Sequence, residues 1–247
     1  MMLFQPPPIT RYDLNFNLFG IPVRVHPIFW LMILLFASST RGLLQYFIWV
    51  VVIFLSLLLH EMGHALVMRG FGRSSEVILY YGGGLTVPCA EAWGTTWANV
   101  SLSRKQEILV SLAGSFMGFF LVAIVLVFIK LSGGLVGLTL LFGFLPFPVI
   151  QLAGSNVLLN SLLMSLVWVN LFWGIINLMP VLPLDGGNIA QHLFLIADPY
   201  TGQRKAYQLS MVSGALVAVA GLLLLRSLYL AMIFGFLAFQ SYQALKR

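Results

Sequence analysis

Apolar runs of about twenty residues, separated by short clusters of charge, glycine and proline, recur from residue 26 to the end of the chain. Runs of that length can cross a hydrocarbon core as helices. They predict six spans, near residues 26–40, 44–68, 106–130, 157–179, 206–225 and 228–244. Residues 133–150 are apolar too, but Gly133, Gly134, Gly137, Gly143, Pro146 and Pro148 disfavour a full-length helix. A shallow or re-entrant outer hairpin is expected there. Within 71–103, Val77 to Tyr81 is followed by Gly82, Gly83 and Gly84 and then Leu85, Thr86 and Val87. This reads as a small β-hairpin at the cytosolic membrane face, although an ordinary connecting loop is the competing interpretation. The expected fold is an all-α polytopic membrane protein of about six transmembrane helices, with that hairpin between the second and third. Residues 1–247 are expected to form a single membrane domain, with 1–25 as a cytosolic N-terminal tail, 44–200 as the catalytic core and 206–247 as two C-terminal spans.

Composition supports the bilayer as solvent. Hydrophobic residues make up 60% of the chain and charged ones 8%, where a soluble domain carries about a quarter charged residues. The net charge of +6 could suggest nucleic acid, but the basic residues are scattered near span ends without dense clusters, so no nucleic acid partner is expected. With the N-terminus in the cytosol, Arg11, Arg24, Arg69, Arg73, Arg104, Lys105, Arg204, Lys205, Lys246 and Arg247 fall inside, and only Arg41, Lys130 and Arg226 fall outside. A full crossing by 133–150 would move Arg204, Lys205, Lys246 and Arg247 outside and nearly erase that bias. Cys89 is the only cysteine, which excludes an intrachain disulfide and a cysteine-rich zinc ribbon. Residues 1–24 lack the apolar centre and cleavage pattern of a secretory signal, so the N-terminus is expected to stay attached. Trp30, Trp49, Trp93, Trp97, Trp168 and Trp173 read as packing and interface anchors.

The chemistry concentrates in the last third of the second span, where His60, Glu61, Met62, Gly63 and His64 follow one another. Helical spacing sets His60 and His64 one turn apart on one face, suited to sharing a zinc ion. Glu61 adjoins the first ligand, where a carboxylate can take a proton from water. Random placement would produce this pattern in roughly one such chain per thousand. A purely packing role is disfavoured because ionisable groups inside a span are costly and usually functional. A catalytic zinc needs a third protein ligand, and Asp185 follows the fourth span on the predicted cytosolic side. Pro180 and Pro183 end that span, and Gly186 and Gly187 allow a sharp turn. Alone, Asp185 reads equally well as the N-cap of a short helix over 188–197; beside His60 and His64, the ligand role is preferred. His26 and His192 are read as interfacial or capping residues.

A His-Glu-x-x-His span followed by Asn177, Pro180, Pro183, Leu184, Asp185 and Gly186 resembles the site-2 protease family of intramembrane zinc metalloproteases, in its compact bacterial form without a PDZ domain. The resemblance covers about residues 44–200, and the first span, opened by Ile21 to Pro27, is also similar. It implies zinc held by His60, His64 and Asp185, with Glu61 as general base. It also implies substrate contacts from Asn177, which could equally cap its helix, and from the hairpin at Gly83 and Gly84, whose edge can pair with an unwound substrate. In the third span Gly118 stands where asparagine is common, so close packing of Gly114 and Gly118 is the safer expectation. The implied partners are a transmembrane protein substrate, the lipid bilayer and a regulatory membrane protein. The implied location is the bacterial inner membrane with both termini cytosolic. No regulatory domain is expected beyond the core.

Two other classes compete. A zinc transporter would need further ligands along a path, and Glu76, Glu91 and Glu107 lie in or beside loops. A non-catalytic membrane scaffold is disfavoured by an intact Glu61.

Overall fold

The computed structural model describes residues 6–37, 42–89, 100–141, 143, 145–152, 154 and 157–246. Arg41, Glu91, Trp93, Trp97 and Arg247, and the ends of several expected loops, lie outside the described residues. The elements run β1 (Leu14–Leu18), β2 (Ile21–Val25), α1 (Pro27–Ala37), α2 (Leu43–Gly70), β3 (Ser75–Tyr80), β4 (Gly83–Pro88), α3 (Arg104–Leu131), β5 (Leu135–Leu141), β6 (Leu145–Gln151), α4 (Val157–Asn177), α5 (Asp185–Ala197), α6 (Gly202–Leu223) and α7 (Leu228–Leu245).

Among the described residues five helices, α2, α3, α4, α6 and α7, are long and apolar enough to cross a membrane. Only 22% to 33% of the most apolar stretch of each is buried within the protein. The remaining apolar surface faces outward, as it does when lipid is the solvent. These helices match the expected spans to within a few residues. The expected first span differs: its described helix, α1, has 11 residues.

Helix termini follow local chemistry. At α3, Oγ of Ser103 accepts from the Gln106 N–H at 3.4 Å while the Gln106 side chain accepts from the Ser103 N–H at 2.8 Å, a reciprocal capping box. At α1, Nδ1 of His26 accepts from the Ile28 N–H at 3.3 Å, so His26 is a capping residue.

The strands depart from the all-α expectation. Between α2 and α3, β3 and β4 pair antiparallel from Ser75↔Pro88 to Tyr80↔Gly83. They form half of a four-stranded sheet in the order β1-β2-β3-β4. Residues 14–25, expected to lie in a plain tail, form β1 and β2, and β2 runs parallel to β3. The reason is visible in the alternation of Leu14, Asn15, Phe16, Asn17 and Leu18, a period-2 pattern. Ile21, Val23 and Val25 are almost fully buried and pack with Val77 and Leu79. An ion pair fastens the same region: Arg24 lies 3.2 Å from Asp13 and 3.5 Å from Glu76, with the Arg24 and Asp13 side chains 7% and 0% exposed.

The glycine- and proline-rich stretch after α3 is the antiparallel pair β5–β6. Pro146 and Pro148 alternate along β6 in a two-stranded sheet, where missing N–H groups can face away from the partner strand.

The chain divides into two compact units, one of Met2–Ser101 with Ala113–Gly174 and the other of Leu102–Leu112 with Ile175–Arg247. In the first, α1, α2 and the four-stranded sheet share a core that includes Phe29, Ile33, Leu57, Met62 and Val77. In the second, Gly214 of α6 meets α7 so closely that an added Cβ would stand 3.1 Å from that of Ala238.

Candidate metal centre

His60, Glu61 and His64 lie in the last three turns of α2 and are 4%, 6% and 7% exposed. The helical i, i+4 relation brings Nε2 of His60 and His64 to 3.2 Å, with the ring planes 85° apart. Two nitrogens bound to one tetrahedral ion at 2.0–2.1 Å would stand about 3.3 Å apart, so this spacing suits a shared zinc.

A helix neighbour keeps the space beside these nitrogens clear. Gly63 lets α3 approach α2 so tightly that an added Cβ would sit 2.6 Å from the Ala113 carbonyl. At the next residue, Gly114, a Cβ would lie 2.3 Å from Nε2 of His64 and 2.8 Å from Nε2 of His60. Any side chain at Gly114 would therefore occupy the volume in front of both donors. Two buried imidazoles converging on a space that one methyl group would fill form a cradle suited to a small cation. The expectation of close packing at Gly114 was correct, but its consequence for the histidines was not visible in the spacing. At Gly118 a Cβ would meet Oδ1 of Asn170 at 3.2 Å, and Nδ2 of Asn170 donates to Oγ of Ser56 at 2.9 Å. A carboxamide thus does face Gly118, carried by α4.

Strand β4 covers Glu61. Oγ1 of Thr86 lies 2.8 Å from Oε2 of Glu61 and 3.1 Å from its backbone carbonyl. Gly84, two residues earlier on the same side of the strand, leaves room for the carboxylate: a Cβ there would stand 2.4 Å from Oε1. Gly83 has φ of +105°, a conformation that favours glycine, and a Cβ would approach the Trp173 ring at 3.2 Å. Trp173 in turn lies edge-on to His60, with ring centroids 6.4 Å apart. Thr86 and Trp173 were not singled out as site residues by the sequence. The only available signal was the alternation that puts Thr86 on the Gly84 side of a strand.

In the other unit, Asp185 is the first residue of α5, and the cap position falls to Leu184, whose side chain makes no cap bond. The helix begins three residues before the expected 188. Gly186 and Gly187 do not form a sharp turn but let the first helical turn press against the preceding loop. A Cβ at Gly186 would lie 2.1 Å from the Leu178 carbonyl oxygen, and one at Gly187 would lie 2.5 Å from the Leu182 nitrogen. Asn177 is the final residue of α4 and is 8% exposed. His192 sits in the middle of α5, half-buried, where it caps neither end. Burial lowers the pKa of its imidazole, with Glu107 opposing that shift and Arg104 adding to it.

The model of peptidase family M50 matches residues 48–221. A curated zinc metalloprotease of Methanocaldococcus jannaschii is 26% identical over 176 residues, which are 70% of this chain and 43% of that protein. The chain thus spans less than half the length of that relative. A solved structure of a site-2 protease from Methanocaldococcus jannaschii is similar with a TM-score of 0.54 and 23% identity, covering 95% of each chain, a likeness of fold.

Proposed function

Because the chain belongs to peptidase family M50, we propose that it is a zinc metalloendopeptidase that hydrolyses a peptide bond within or near the transmembrane segment of a membrane protein. The observation that carries this reading is the pair of Nε2 atoms 3.2 Å apart, with Glu61 beside them and the space in front kept clear by Gly114.

His60, His64 and Asp185 would hold zinc, a set of two imidazoles and one carboxylate that suits this ion. When bound, the ion supplies Lewis acidity that polarises the scissile carbonyl and acidifies water. Glu61 takes the proton of the attacking water and returns it to the leaving amine, so no covalent enzyme intermediate forms. Thr86, donating to Oε2, leaves Oε1 of Glu61 available for that transfer. Asn177 offers a carboxamide to the substrate backbone or the developing oxyanion. The edge of β4 at Gly83 and Gly84 receives an unwound substrate segment as an added strand. Since a helical substrate shields its carbonyls, spans weakened by glycine, proline or asparagine are the preferred targets.

Five apolar helices suit an integral membrane protein. The finer arrangement belongs to the same proposal: six spans, residues 44–200 as the catalytic core, both termini cytosolic, the bacterial inner membrane as location and a regulatory membrane protein as further partner. The excess of basic residues on one side supports that orientation.

The test is cleavage of a panel of single-span proteins by the purified chain and Glu61→Gln in detergent, with bound zinc quantified in both. Cleavage by the unaltered chain alone, with zinc retained in both, is the expected result. Well-folded protein without stoichiometric zinc would overturn the reading.

A further inference from the structure

The segment from Leu178 to Leu184 delivers Asp185, and its backbone has unusual needs. Pro180 and Pro183 carry no N–H. The N–H groups of Met179, Val181 and Leu184 are satisfied locally, by Ile176, Met179 and Val181 carbonyls at 3.1, 2.7 and 2.9 Å. The Leu182 N–H instead donates outside the segment, to Oγ of Ser210 on α6 at 2.8 Å. Ser210 continues to α7: its Oγ lies 2.7 Å from Oγ of Ser241. Both serines are buried, at 1% and 3% exposure.

Helix packing explains how two hydroxyls meet there. Ser210 and Gly214 share one face of α6, and Ala238 and Ser241 share one face of α7. The small residues let the helix backbones approach, with a Cβ at Gly214 only 3.2 Å from the Phe234 carbonyl oxygen. Leu182 is in turn locked to the start of α5, because Gly187 closes against the Leu182 nitrogen and the Val181 carbonyl group. A continuous path of contacts therefore links Ser241, Ser210, Leu182 and Gly187, two residues from Asp185.

We propose that Ser210 and Ser241 form a hydroxyl clamp through which α6 and α7 position Asp185 as a metal ligand. The clamp rests on Asp185 being a zinc ligand. The serines are positioning residues: Ser210 accepts from a loop N–H that would otherwise lose its partner in an apolar setting, and Ser241 holds Ser210. Groups that orient a ligand typically change metal affinity ten- to a hundredfold when removed.

The experiment measures zinc release from the purified full-length protein in detergent after addition of excess chelator, alongside thermal unfolding. Ser210→Ala is expected to speed zinc release about tenfold. Ser241→Ala, which leaves the acceptor for Leu182 in place, is expected to speed it less, and it serves if Ser210→Ala does not fold. The control is Gly221→Ala, which crowds Leu230 across the same helix pair, three turns from Ser210. It should shift the unfolding temperature and leave zinc release within about twofold of the unaltered chain, well short of the tenfold effect. Equal release from the unaltered chain and both serine variants overturns the clamp while the metal reading stands. Equal acceleration in Gly221→Ala and the serine variants also overturns it, since general loosening of α6 and α7 then accounts for the effect. Absence of zinc from the folded, unaltered chain overturns the metal reading and the clamp with it.

Discussion

Oγ1 of Thr86 donates to Oε2 of Glu61 across 2.8 Å, joining strand β4 to the carboxylate beside the two histidines. A hydrogen bond to a charged group is worth about 1.5–3 kcal/mol. It also fixes which oxygen of the carboxylate stays available to a proton in transit.

Thr86→Val keeps the shape and removes the donor. Zinc content should match the unaltered chain, KM should change less than about twofold, and kcat should fall about ten- to a hundredfold, the kinetic equivalent of that bond. Thr86→Ser should restore most of the rate. Steady-state cleavage of one substrate by the three proteins checks this, and an unchanged kcat in Thr86→Val rejects the role.

Gly114→Ala places a methyl group 2.3 Å from Nε2 of His64. The expected product is a folded helical protein holding about a tenth or less of the zinc of the unaltered chain, the scale of loss seen when a site's supporting shell is disturbed. Elemental analysis beside circular dichroism separates metal loss from unfolding.

Removal of the metal by chelation should abolish cleavage and lower the unfolding temperature, because an ion that binds only the folded state stabilises it by mass action. Zinc should restore both properties. Magnesium should restore neither, since imidazole donors suit zinc and magnesium prefers oxygen.

Asp198, before α6, carries the pH prediction. Its carboxylate accepts from the Thr201 hydroxyl, from the N–H groups of Thr201 and Tyr200, and from Lys205. These bonds, Thr201 foremost, hold its pKa well below the ordinary carboxylate range. A depressed folded-state pKa stabilises the folded chain at pH values above the unfolded pKa of about 3.9, and that contribution fades as pH falls toward the folded value. Asp198→Asn should therefore lower the unfolding temperature at pH 7, and the gap should narrow below about pH 4. A gap constant down to pH 2.5 or so contradicts the linkage.

The helices were legible because a hydrocarbon core demands long apolar runs, and α2, α3, α4, α6 and α7 begin and end within a few residues of where charge and glycine interrupt them. The His60, Glu61 and His64 arrangement was legible for a related reason, since one helical period decides it. Pairing across distance was not. Strand β2 joins β3 over some fifty intervening residues, and no local pattern announces that partnership, although the alternation from Leu14 to Leu18 offered a strand signal. Thr86, and the place of Gly114 in front of the histidines, escaped for the same cause: their importance lies in what faces them, and hydropathy does not record a neighbour. The glycines after Asp185 were misread because both a turn and a close helix contact call for glycine.

Strands β2 and β3 lie parallel in one sheet, and the helices between them among the described residues are α1 and α2. Phe29 and Trp30 near the start of α1 meet Phe54 within α2, while the Tyr46 hydroxyl near the start of α2 donates to the Leu34 carbonyl toward the end of α1. The two helices therefore run in opposite directions, and the chain comes back to the sheet it left. For a protein whose α2 crosses the bilayer with this sheet on one side of it, parity follows: the crossings between Val25 and Ser75 must add up to an even number. Inserting one extra crossing anywhere between Val25 and Ser75 would then put β2 and β3 on opposite sides of the membrane, where no sheet can form.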